Sequence, residues 1–121
     1  MVIDTNILIA YLNNEAIVVE LLDSWRVSGK SLIISSITTV EILSLNTLTP
    51  QKIKKVRLFL QTFLTCPLDT SLAETAAALR RKYCLKTPDA IVAATAQTFK
   101  LPLITRDHQF RKIKELTVTN P

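Results

Sequence analysis

The sequence predicts an α/β fold, a central mostly parallel sheet covered by helices on both faces, and three observations predict it. Short apolar runs rich in Val, Ile and Leu alternate with stretches of helical periodicity from one end of the chain to the other, as parallel strands joined by crossover helices require. The helical stretches carry their own punctuation, with a hydroxyl followed by proline at Thr49-Pro50 and Thr87-Pro88 and the single glycine, Gly29, placed to stop a helix. Two of the apolar runs also break on or beside an acid, Asp4 and Asp107, at the end where open α/β sheets bind ligands.

Val2 and Ile3 favour a pleated, buried surface, and Asn6 is placed to cap a helix over 7–12. A second helix over 15–28 sets Ile17, Val18, Leu21, Leu22 and Trp25 on one face. Residues 31–35 read as a buried strand, and a helix over 36–45 follows with Ile37, Val40 and Leu43 or Ile42 toward the core and Glu41 inside it. Thr49 caps the next helix, whose apolar stripe is Ile53, Val56, Leu60, Phe63 and Leu64; Lys52, Lys54, Lys55 and Arg57 read first as its solvated face and second as an RNA contact. A weak strand over 66–68 is limited by Pro67 to a sheet edge. Asp69 or Thr70 then caps a helix carrying Leu72, Ala76, Leu79 and Tyr83, ending in Arg80-Arg81-Lys82, which complement the helix dipole. Thr87 caps a helix of small residues through Phe99 with Asp89 in its first turn, and strands over 103–105 and 116–118 complete the chain.

With 121 residues, nearly half of them apolar, and no segment rich in Ser, Gly or Pro, the chain suits one domain over 1–121 with a single core. A lone glycine excludes phosphate loops and dinucleotide fingerprints, which need several to let backbone approach phosphate. Cys66 and Cys84 are too few for a disulfide framework or a thiolate zinc site and read as small core residues in a reducing compartment. The start lacks the basic region of a signal peptide, and no apolar run is long enough to span a membrane, so a cytoplasmic location without membrane contact is expected. The formal charge is +5; if four of the ten acids share one site, six face fifteen Lys and Arg, which favours a polyanionic partner.

Those four acids are Asp4, Glu41, Asp89 and Asp107, of which three stand at strand ends or helix starts that a parallel sheet brings to one edge. Each alone has an ordinary explanation as a cap or turn residue. Together they pose a problem: two unit charges about 5 Å apart repel by roughly 3 kcal/mol at an effective dielectric near 20, against a total stability of about 5–15 kcal/mol. A hard divalent cation resolves it, and all-oxygen ligands select Mg²⁺ or Mn²⁺. The chemistry that follows most naturally is phosphodiester hydrolysis.

The runs VIDTNILIAYL, TTVEIL, TPDAIVAATA and LPLITRDHQF, in this order and spacing, resemble the PIN-domain ribonucleases, and most of all the VapC-type toxins of toxin–antitoxin pairs, over essentially the whole chain. The resemblance implies a three-layer α/β/α sandwich, a homodimer, endonucleolytic cleavage of RNA dependent on Mg²⁺ or Mn²⁺, and inhibition by a cognate antitoxin. It also implies that Asp4, Glu41, Asp89 and Asp107 bind metal, with Asn6 and Thr105 as supporting polar residues. One departure is visible: the stretch from Cys84 to Pro88 lacks the glycine often found before the third acid. His108 follows Asp107 but stays outside the catalytic set. Two other classes compete: a catalytically silent module of the same fold binding RNA or protein, which has no reason to tolerate four clustered acids, and a phosphotransferase with Asp4 as nucleophile. The latter chemistry wants a second acid two residues on, where this chain has Asn6.

Overall fold

A computed structural model describes residues 1–121. The elements run β1 (Val2–Ile3), α1 (Thr5–Leu12), α2 (Ala16–Val27), β2 (Ile33–Ser35), α3 (Ser36–Leu43), α4 (Pro50–Leu60), β3 (Leu64–Cys66), α5 (Thr70–Tyr83), α6 (Thr87–Phe99), β4 (Leu103–Ile104) and β5 (Val118–Thr119), with a 3-10 turn over His108–Lys112. Five strands form one sheet in the order β3-β2-β1-β4-β5, and every neighbouring pair is parallel.

Strand periodicity divides the core in two. Val2, Ile33 and Leu103 point to one face and join a cluster with Leu72, Ala76 and Leu79 of α5 and the small residues of α6. Ile3, Ile34 and Ile104, one position on in each strand, point to the other and pack with Ile7 and Leu8 of α1, Val18 and Leu22 of α2, and Val56 and Leu60 of α4. The result is the expected α/β/α sandwich. Each fully buried Ile or Leu contributes about 1.5–3 kcal/mol over its exposed state, so strands of two or three residues suffice when both faces are covered. Helix α3 sits between the layers, with Ile42 in one cluster and Ile37 packed against the other. Beginning directly after β2, it lies at the carboxyl edge of the sheet.

Several expectations are corrected. Asp4, not Asn6, caps α1, its Oδ1 accepting from Thr5 N at 2.8 Å. Lys86 precedes α6 without a side-chain cap, so Thr87 begins that helix. Helix α4 stops at Leu60, and Leu64, 61% exposed, opens an edge strand instead of extending the helical stripe. Ile17 and Val40 face solvent at 73% and 58% exposure; Val18 with Leu22, and Thr38 with Ile42, take the inward positions. Cys84 is exposed, not core, and adopts a left-handed conformation (φ 54°, ψ 45°) at the end of α5. The chain thus makes without glycine the backbone turn that glycine makes most cheaply. Gly29, at φ 74°, sits just beyond α2 as expected.

Candidate active site

The chain builds β1, β2 and β3 outward in one direction and then returns to lay β4 on the other side of β1. The strand order therefore reverses between β1 and β4, and the crevice beyond their carboxyl ends is where open parallel sheets take ligands. Asp4 follows β1 there, and Thr105 follows β4.

These two residues are joined. Asp4 is 7% exposed and Thr105 is 1% exposed. Thr105 Oγ1 donates to Asp4 Oδ2 at 2.7 Å, and Asn6 Nδ2 donates to the same oxygen at 3.0 Å and to Thr105 Oγ1 at 3.2 Å. With Thr5 N on Oδ1, the carboxylate has three of its roughly four acceptor sites filled by protein donors. Thr105 Oγ1 also accepts from Asp107 N at 3.0 Å, and Asn6 Oδ1 from Arg106 N at 3.1 Å. Asp4 is thereby locked in one orientation, and the segment bearing Asp107 is tied to the same hub. Sequence reasoning set Asn6 and Thr105 beside the acids by resemblance; the structure puts both against Asp4.

Glu41 comes in from the second turn of α3. Its Oε1 accepts from Thr5 Oγ1 at 2.8 Å, and Thr5 Oγ1 lies 3.4 Å from Thr38 Oγ1. Thr5 is the bridge that sequence reading missed; a hydroxyl at a helix start carried no signal beyond its place beside Asp4. Asp89 stands in the first turn of α6, half-buried. Asp107 caps the 3-10 turn, its Oδ1 accepting from Gln109 N at 3.0 Å.

Electrostatics ties the four together. Burial pushes the Asp4 carboxyl above its ordinary range; hydrogen bonds from Thr105 and the Thr5 amide oppose this, and the charges of Asp89 and Glu41 add to it. Burial likewise raises Asp89, reinforced by Asp107 and Glu41 and countered by Lys86. Every one of the four acids therefore feels at least one other. They do not close into a cage, however: no group of three or more His, Cys, Asp or Glu side chains is gathered tightly enough to hold one ion. In donor chemistry the set fits a hard divalent cation, since it offers only oxygens, and charge repulsion and desolvation, without a hydrogen bond, govern Asp89. The network can orient Asp4 and concentrate negative charge at one edge.

The sequence matches the family described as PIN domain over residues 1–116. Among solved structures the fold is similar to that of a toxin–antitoxin complex from Klebsiella pneumoniae, 34% identical over 98% of this chain and 94% of that one, with a TM-score of 0.83. It is also similar to FitAcB from Neisseria gonorrhoeae, 27% identical over 99% of this chain and 96% of that one, TM-score 0.76. VapBC2 from Rickettsia felis, bound to a DNA fragment from their promoter, shares the fold at 19% identity, 99% and 97% coverage and a TM-score of 0.83. No curated protein matches the chain.

Proposed function

This chain belongs to the PIN domain family, and on that premise we propose that it is a metal-dependent endoribonuclease acting as the toxin of a toxin–antitoxin pair. The observation that carries the reading is Asp4: a carboxylate buried at the switch point of a parallel sheet, held by three donors, and crowded by the charges of Asp89 and Glu41. Capping α1 needs an acceptor there but not a buried charge, which burial without an ionic partner disfavours.

In this reading Asp4, Glu41, Asp89 and Asp107 would hold Mg²⁺ or Mn²⁺, which supplies activation of water and neutralisation of charge on the phosphate. Asp4 fixes the centre of the site because Asn6, Thr105 and the Thr5 amide leave its carboxylate one orientation. Glu41, steadied by Thr5 through one oxygen, would bind metal or orient the attacking water with the other. Asp89 and Asp107 balance the site from α6 and from the segment after β4. RNA is the polyanion that a chain of net charge +5 would attract.

The solved neighbour from Klebsiella pneumoniae, named as a toxin–antitoxin complex, supports a protein antitoxin as partner, and a homodimer is proposed as the working form. No helix is long and apolar enough to cross a membrane, and we place the protein in the cytoplasm, where RNA is.

The test is cleavage of pooled, end-labelled total RNA by purified protein with Mn²⁺, with Mg²⁺ and with EDTA, alongside Asp4→Ala. Fragments that depend on metal and vanish in the variant are expected. Full activity in Asp4→Ala would sink the assignment, and folded protein that neither cleaves nor is stabilised by Mn²⁺ would point to a silent binding module.

A further inference from the structure

In the proposed reading the metal meets the phosphate that is cut, and the neighbouring phosphates of the strand need a cationic contact beside the carboxylate edge. Arg106 is built into that edge. Its amide donates to Asn6 Oδ1, which fixes its backbone to the Asp4 hub, and it lies between Thr105 and Asp107. Its side chain donates through Nη2 to Glu15 Oε2 at 2.7 Å, across 91 residues of sequence. Glu15 directly precedes α2 but makes no capping hydrogen bond with its side chain, so the carboxylate is engaged with Arg106 instead.

The pair lies at the solvent rim, with the Arg106 and Glu15 side chains 36% and 46% exposed. An exposed pair of this kind contributes about 0–1 kcal/mol to stability. The fold does not depend on it, and a competing anion can break it. Guanidinium carries five N–H donors in a fork that fits phosphate with two bonds, and only one of them is used.

We propose that Arg106 is a substrate-positioning residue that seats an RNA phosphate beside the carboxylate edge, and that Glu15 is the internal anion which that phosphate displaces. The proposal rests on the ribonuclease reading and adds to it a phosphate contact with a built-in competitor. It makes a demand that an ordinary structural ion pair does not: the two partners must have opposite effects. Loss of Arg106 removes the contact. Loss of the Glu15 charge frees the guanidinium and removes a repelling group.

The experiment compares wild type, Arg106→Ala, Arg106→Lys and Glu15→Gln, with Lys30→Ala as a control. Lys30 lies near the N-terminal ammonium, at the opposite edge of the sheet, and its loss changes net charge equally. Binding of a short, dye-labelled, mixed-sequence single-stranded RNA is measured in EDTA across a range of KCl, followed by KM and kcat for pooled RNA with Mn²⁺. Arg106→Ala is expected to weaken binding about 5-fold and to reduce the salt slope by about 0.7, the value for one phosphate contact on a single strand. KM rises and kcat changes little. Arg106→Lys keeps the slope with part of the affinity, Lys30→Ala changes the slope less than Arg106→Ala, and Glu15→Gln tightens binding about 3-fold as the competing charge is removed.

Binding in Glu15→Gln that is weaker than or equal to wild type overturns the proposal, because a structural pair is broken equally from either side. So does an Arg106→Ala slope no different from that of Lys30→Ala. Wild type that neither binds nor cleaves RNA removes the ribonuclease reading beneath the proposal, an outcome distinct from binding and cleavage that the variants leave unchanged.

Discussion

At the scale of single residues, the site sets stability against function, and two substitutions separate them. Thr105→Val keeps the shape of a buried side chain but removes the donor to Asp4 Oδ2 and the acceptor for Asp107 N and Asn6 Nδ2. Leaving such groups unpaired costs about 1–3 kcal/mol, and loss of a group orienting a ligating carboxylate typically costs 10–100-fold in metal affinity or activity, so the proposed cleavage falls by about that factor. Asp89→Asn has the opposite effect on the fold. Burial and the charges of Asp107 and Glu41 raise the Asp89 pKa in the folded chain, so its ionised form opposes folding at every pH above that raised value. The cost fades as pH falls through the folded pKa and is gone below the ordinary 3.8. In EDTA at neutral pH, Asp89→Asn is therefore expected to raise Tm, by no more than about 4 °C once screening at a half-exposed group and the lost helix-terminus charge are discounted. Cleavage should fall in the same variant. Thermal melts in EDTA check the sign, and a Tm below wild type would show that the acids are not in conflict.

Elements tell a different story, because their order was legible in the sequence while their edges were not. Alternating apolar runs and helical stripes are signals of burial, and both faces of this sheet are buried, so β1, β2 and β4 stood out. The start of α1 is not legible because Asp4 and Asn6 are equally good caps by type; in the fold Asp4 takes the Thr5 amide while Asn6 turns to Asp4 and Thr105. The end of α4 is not legible because Leu64 continues a helical stripe that Gln61 and Thr62 interrupt, and an exposed edge strand leaves little hydrophobic pattern. The junction of α5 and α6 was unreadable for another reason: Cys84 adopts φ 54°, a conformation its side chain does not advertise. That conformation costs a non-glycine residue roughly 1 kcal/mol, and Cys84 is exposed, so Cys84→Gly loses no packing. It should stabilise the protein by about 0.5–1 kcal/mol in urea titrations. The same helix end is clamped to the segment before β5, where Lys82 Nζ and Tyr83 OH donate to the two oxygens of Glu115 at 2.6 and 2.8 Å. These bonds hold the Glu115 carboxyl at about 2, below its ordinary 4.5. A depressed acid contributes stability above 4.5 that disappears as pH falls toward about 2. Glu115→Gln should therefore be less stable than wild type at neutral pH, with the difference closing across that window; a gap independent of pH would show that the clamp is not ionic.

On the scale of the whole molecule, the acids come from every part of the chain. Asp4 follows the first strand, Glu41 lies in α3, Asp89 opens α6 and Asp107 follows β4, and only the strand order β3-β2-β1-β4-β5 brings those places to one edge. This is why the four could be picked out as candidates while the hydrogen bonds that hold them could not: periodicity places strands, but the Thr5 bond to Glu41 spans 36 residues and the Thr105 bond to Asp4 spans 101. A site assembled from four elements links ligand binding to global folding. An ion bound by the folded chain and not by the unfolded one stabilises it by RT ln(1 + [L]/Kd), about 2.7 kcal/mol at a hundredfold excess over Kd, or roughly 10 °C in a chain of this size. Burial and mutual charge raise Asp4 and Asp89, so a bound cation would relieve that cost. Mn²⁺ is therefore expected to raise the Tm of wild type in a concentration-dependent manner that EDTA reverses, and to leave Asp4→Ala, which lacks the proposed central ligand, nearly unmoved. Glu115→Gln, remote from the edge, should keep the full response, which separates loss of a ligand from loss of stability in general. An equal Mn²⁺ shift in Asp4→Ala would mean that the ion binds elsewhere, and the proposed role of the carboxylate edge in catalysis would fall with it.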